Sequence, residues 1–152
     1  MAATFRFDRE WPFPCSADHL WALLERVDEY PVWWPWLRRF DLDPPRLERG
    51  ACARCVVAAP VTPFLLRLDV EVTDVVPGRS AEATVRGNLV GRAALHVDPV
   101  DADRCTARLH WDVAVVHPAL GPAARLARPL AARGQAWVVG TGVDRFRRRH
   151  FP

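Results

Sequence analysis

The chain has 152 residues, 50% of them hydrophobic and 26% charged, a balance that fits a globular domain and excludes a disordered segment or a fibrous repeat. All 21 basic residues are arginines, scattered apart from a cluster at Arg145, Arg147, Arg148 and Arg149, and the net charge is only +3, so no nucleic-acid-binding face is expected. No apolar run approaches the roughly 20 residues of a bilayer span, and Arg6, Asp8, Arg9 and Glu10 break up the stretch where a secretory signal would be apolar, so the expected location is cytoplasmic, without stable membrane insertion.

A chain of this length buries about two thirds of its unfolded surface, and a single domain, 1–152, around one core is expected. Phe5, Phe7 and then Trp11 alternate with Arg6, Asp8 and Glu10, which predicts a first strand. A helix follows, because Ser16 is a good N-cap, Asp18 falls in the first turn, and Leu20, Leu23, Leu24 and Val27 repeat at helical spacing. Next comes Tyr30-Pro31-Val32-Trp33-Trp34-Pro35-Trp36-Leu37. Its prolines limit any helix to a short piece, so the three indoles cannot all be buried and some of their surface is expected at a hydrophobic ligand site or its mouth.

From 40 to 116 the pattern becomes six short runs divided by turn signals at Pro44-Pro45, Arg49-Gly50, 60–63, Pro77-Gly78, Gly87-Asn88 and 101–103. These are read as antiparallel strands. Leu66, Leu68, Val70 and Val72 oppose Arg67, Asp69, Glu71 and Thr73, and Asp74 continues the inward parity. Ala81, Ala83 and Val85 oppose Glu82, Thr84 and Arg86, and Leu109, Trp111, Val113 and Val115 oppose Arg108, His110 and Asp112. Such a sheet has one wet face and one covered face, and small alanines in the middle of the covered face leave room for a cavity or for a close-packed helix. The remaining long element, 122–149, reads as a helix with a stripe at Val139, Val143 and Phe146, a second face at Leu126 and Leu130, and Pro129 and Gly134 between them as a kink. Gly140 and Gly142 each weaken it by about 1 kcal/mol relative to alanine, which implies close backbone packing or space kept for a ligand.

Four cysteines in a reducing compartment should remain thiols. Cys52 and Cys55 have a metal-like spacing, but no second pair joins them and a strand sends them to opposite faces, so both are read as small, buried or half-buried residues. His96 and His110 fall on neighbouring strands with Asp98 and Asp112 two residues further on. A charge ladder on the outer face is the reading there, with a two-histidine, one-carboxylate metal site as the alternative. No nucleophile signature and no glycine-rich phosphate loop is present, and neither a metal nor a cofactor is expected.

The order strand, two short helices, six strands and long final helix resembles the helix-grip fold of the START-like (SRPBCC) superfamily, which includes the polyketide cyclase/dehydrase and birch-pollen-allergen-like families. The marks are Phe13-Pro14 with Ser16 and Asp18 before Leu20-Trp21-Ala22-Leu23-Leu24, then Trp34-Pro35-Trp36, Arg49-Gly50 and the C-terminal helix. Membership implies an α+β domain with a seven-stranded antiparallel sheet wrapped around that helix, and a deep apolar cavity for lipids, sterols, polyketides, quinones or other hydrophobic molecules. The resemblance to aromatase/cyclases implies an arginine on a central strand inside the cavity. Here the chain departs from the pattern, because Arg67 alternates away from Leu68, Val70 and Val72.

The candidate ligand-binding residues are Tyr30, Trp33, Trp34, Trp36, Leu68, Val70, Val72, Ala83, Val85, Leu95, Trp111, Val113, Trp137, Val139 and Thr141, with the hydroxyls of Tyr30 and Thr141 as orienting groups. The partner expected is a small hydrophobic ligand, bound in a carrier, sensor or accessory role. The alternatives are a polyketide cyclase or dehydratase working in the same cavity, and a protein-partner module with a filled core. No sequence signal fixes an oligomeric state.

Overall fold

A computed structural model describes residues 3–58, 65–119, 122–123, 126 and 128–152. The turn expected at 60–63 and the side chain of Leu130 lie outside the described residues. Strand β1 (Ala3–Phe13) leads into helix α1 (Ala17–Leu24), where the Ser16 hydroxyl oxygen accepts from the His19 N–H at 3.1 Å. A cap of this kind stabilises a helix start by about 1 kcal/mol. A single 3-10 turn (Val27–Glu29) then passes into α2 (Tyr30–Trp33), where Pro31 occupies the first turn and no residue is fully buried. The indoles of Trp33, Trp34 and Trp36 are all half-buried, in keeping with the proline-limited geometry.

Six further strands follow: β2 (Leu37–Asp43), β3 (Cys52–Ala58), β4 (Leu65–Val76), β5 (Ser80–Gly87), β6 (Leu89–Asp101) and β7 (Arg104–Val115). They form with β1 one seven-stranded antiparallel sheet in the order β1-β7-β6-β5-β4-β3-β2. The alternation seen in the sequence is kept in the register. Val70 is opposite Ala53 on one side and Val85 on the other, and Val72 is opposite Ala83. Asp74 departs from that parity: a bulge between Val72 and Asp74 shifts the register, so that Asp74 pairs with Glu82, is exposed and sits on the outer face. An extra residue in one strand reverses the alternation beyond it.

Helix α3 (Arg128–His150) lies across the inner face, with Pro129 in its first turn, where a missing N–H costs nothing. Val139 and Phe146 are buried and Val143 packs beside them, whereas Leu126 is 90% exposed. At its C-terminal end Arg147 donates to the Pro12 carbonyl at 2.6 Å with its guanidinium over the Phe13 ring, and Arg149 pairs with Glu29.

The expected single core is divided. Among the described residues three separate clusters are buried: Leu20, Trp21, Val97, Cys105 and Phe146 where α1 meets α3; Phe5, Val113 and Val115 at the β1–β7 edge; and Leu37, Ala53 and Cys55 beneath α2. Each fully buried aliphatic side chain contributes about 2 kcal/mol, and their separation has a spatial cause. Between the clusters the described residues leave an open space.

Candidate functional site

That space is a cavity of about 520 Å³ between the sheet and α3, within the usual range for small-molecule sites. Small residues create it. Ala81 and Ala83 on β5 and Ala93 on β6 face inward where larger side chains would reach the helix, and Gly134 continues the gap on α3. Among the described residues a β-carbon placed on Gly134 would meet nothing within 4 Å, whereas one on Gly142 would come within 3.2 Å of Trp34. Gly142 is therefore the close-packing glycine that seats Trp34, and Gly134 is the one that keeps space. Gly140 also faces open space but does not line the cavity.

Of the candidates read from the sequence, Tyr30, Trp34, Leu68, Val70, Val72, Ala83, Val85, Leu95, Trp111, Val113 and Val139 are brought together in the cavity wall. Four are not. Trp33 stands edge-on to Phe146 at 5.2 Å, because the α2 backbone turns it toward the α1–α3 cluster. Trp36 packs on Trp137 at 5.3 Å, and Trp137 is itself 54% exposed, since the α3 face that carries it looks away from the sheet. Thr141 is half-buried but lies off the wall. Tyr30 lends its ring to the wall, while its hydroxyl donates to the Leu24 carbonyl and is not free to orient a ligand. Burial, and then the nearby Glu25 charge, push its pKa up and keep it protonated.

Sequence reasoning missed Gln135, Val138 and Phe40, all of which line the cavity. Gln135 stands one helical turn before Val139, and that spacing was the available signal. Its side-chain oxygen accepts from the Trp111 indole N–H at 3.0 Å, and Trp111 stacks on Phe7 at 4.5 Å. Among the described lining, Glu82 is the charged residue, and its exposure and strand parity put the carboxylate on the outer face.

Cys55 also belongs to the wall, and burial, with Asp69 and Asp41 adding to it, pushes its thiol up to about 12. Cys105 is likewise pushed up to about 12 by burial and by its neighbour Cys15, whose own pKa burial raises. Cys52, expected to be at least half-buried, is exposed, because it opens β3 with the parity opposite to that of buried Ala53 and Cys55 and so stands on the outer face. At pH 8 an alkylating reagent is therefore expected to modify Cys52 first. A rise from 9 to about 12 leaves Cys55 and Cys105 with on the order of a thousandfold less thiolate. Time-resolved peptide mass spectrometry checks the order, and rapid labelling of Cys55 would mean that the wall is open where the structure closes it.

His96 and His110 meet on the outer face with their Nε2 atoms 3.3 Å apart. Two of the surrounding carboxylates are engaged with arginines: Arg108 donates twice to Asp8, which lowers the Asp8 pKa, and Arg6 pairs with Asp112. Among the described residues no group of three histidine, cysteine or carboxylate side chains is placed to hold a metal ion. No helix among them is long and apolar enough to cross a membrane.

Solved structures of other proteins share this fold. A START superfamily protein from Mycobacterium smegmatis superposes with a TM-score of 0.72 at 12% identity, covering 95% of this chain and 95% of that one. The Zhui aromatase/cyclase from Streptomyces sp. R1128 gives 0.66 at 15% identity, covering 98% of each chain. Norcoclaurine synthase from Thalictrum flavum, in complex with dopamine and hydroxybenzaldehyde, gives 0.66 at 14% identity, covering 99% of this chain and 90% of that one. At such identities these likenesses concern the fold alone. Among curated proteins no sequence match is found. The family described as Polyketide cyclase / dehydrase and lipid transport matches residues 4–150, nearly the whole length. With its seven-stranded sheet closed over a C-terminal helix, the chain belongs to this polyketide cyclase/dehydrase and lipid-transport family.

Proposed function

We propose that the chain, 1–152, is a single cytoplasmic domain that binds one small hydrophobic molecule between sheet and α3, as a carrier, sensor or accessory protein. The observation that carries this reading is the apolar cavity of about 520 Å³ standing where a filled core would be more stable. A void of that size is costly unless a ligand fills it in use. Family membership supports the same class of partner, and free cysteines suit a reducing compartment.

A cyclase or dehydratase acting on a chain held in the cavity would need a group that moves a proton near neutral pH. Of the titratable side chains in the wall, burial keeps Cys55 and Tyr30 protonated and Glu82 faces outward. The arrangement therefore favours binding over catalysis.

Native mass spectrometry of protein purified from its own host, followed by denaturation and identification of what is released, tests the proposal. A stoichiometric hydrophobic compound is the expected result. An empty protein that also binds no apolar fluorescent probe above background would overturn it.

A further inference from the structure

We infer that the side-chain amide of Gln135 is the hydrogen-bond donor of the cavity, and that the preferred ligand is an uncharged, largely apolar molecule carrying a carbonyl oxygen. This rests on the cavity being a binding site. An indole N–H can only donate, so the atom of Gln135 that faces Trp111 at 3.0 Å must be its oxygen. The orientation of the amide is thereby fixed, and its NH₂ end is turned away from Trp111. Among the described residues nothing accepts from that nitrogen.

Trp34 also brings an indole N–H to the wall, buried and without a partner among the described residues, but that edge lies against α3, where a β-carbon on Gly142 would stand 3.4 Å from the nitrogen. The remaining polar groups of the wall are committed elsewhere. The Tyr30 hydroxyl already donates to the Leu24 carbonyl, the Glu82 carboxylate is on the outer face, and the Cys55 thiol is a weak donor. Trp111 is held in turn by stacking on Phe7, so the donor is pre-oriented and loses little freedom when a ligand arrives. Beside it, the missing side chain of Gly134 lets ligand atoms approach the helix. No cationic side chain is among the described lining, so a carboxylate ligand would lose its hydration without compensation. A neutral ketone, ester or quinone-like carbonyl meets all these conditions.

The test compares 2-acetylnaphthalene with its hydrocarbon isostere 2-isopropenylnaphthalene, titrated against the wild type, Gln135→Glu and Gln135→Met. Glutamate keeps an acceptor for Trp111 but removes the donor; methionine removes both and adds no charge, which keeps the comparison available if the glutamate variant does not fold. The ratio of ketone to hydrocarbon affinity should fall about tenfold from the wild type to either variant, the worth of one hydrogen bond in a closed site. The carbonyl ¹³C resonance of the bound ketone should lie further downfield in the wild type than in Gln135→Met. An unchanged ratio and an unchanged resonance would overturn the assignment of Gln135 while leaving the cavity a binding site. Failure of both probes to bind the wild type would instead remove the binding reading, and this inference with it.

Discussion

Gly134→Leu is expected to weaken binding in the cavity while making the fold more stable. Most substitutions in a ligand site cost stability or leave it unchanged, so the opposite signs are diagnostic. The geometry sets both. A β-carbon at 134 meets open space within 4 Å, so the added side chain displaces no neighbour and extends into the volume a ligand would use. Glycine inside a helix costs about 1 kcal/mol relative to better helix formers, which for a domain of this size corresponds to roughly 3 °C in Tm. Affinity for an apolar probe should fall by at least about tenfold, because filling the site removes apolar contact worth more than 1.4 kcal/mol. Gly140→Ala is the control: it gains the same helix propensity, also without a close neighbour, but lies off the wall and should leave affinity unchanged. Parallel thermal melts and probe titrations decide the matter. Full affinity in a stably folded Gly134→Leu protein would show that the ligand space lies elsewhere.

Gly91→Ala should do the reverse and break the sheet. Gly91 lies on β6 opposite Val113, and an added β-carbon would stand 2.0 Å from the Asp112 carbonyl oxygen and 2.8 Å from the Val113 α-carbon. These are backbone atoms of the adjacent strand, held by the ladder, and no rotamer change can move them. Strands β6 and β7 must separate locally. The expected loss is more than about 3 kcal/mol, a large share of the 5–15 kcal/mol that a domain typically has. Urea denaturation should report it as a lowered midpoint, or as a chain that does not fold at all. A midpoint within the error of the wild type would contradict the close approach of the two strands.

These glycines illustrate how much was legible beforehand. Gly134, Gly140 and Gly142 occur in one helix and have the same intrinsic cost, but one keeps the cavity open, one faces open space off the wall and one seats Trp34. The partner across the gap distinguishes them, and that partner lies about a hundred positions away in the sequence for Gly142. The tryptophans behave alike. Each is large and apolar, so the sequence marks Trp33, Trp34, Trp36 and Trp137 equally. The turn of α2 against α3 then sends Trp34 to the cavity, Trp33 to Phe146, and Trp36 to a partly exposed Trp137.

What the sequence determined by itself was local and periodic. The cap at Ser16, the breaks at the prolines and the inward rows Leu66, Leu68, Val70, Val72 and Leu109, Trp111, Val113, Val115 follow from two-residue and helical repeats, which act between near neighbours. The same order of elements carried the resemblance to the helix-grip fold. Only the tertiary structure decided that the core divides around a cavity, that the bulge after Val72 sends Asp74 outward, that Tyr30 spends its hydroxyl on Leu24, and that Gln135 is held by Trp111. Volume, register and hydrogen-bond pairing between distant segments fix those features, and no repeat along a single segment encodes them.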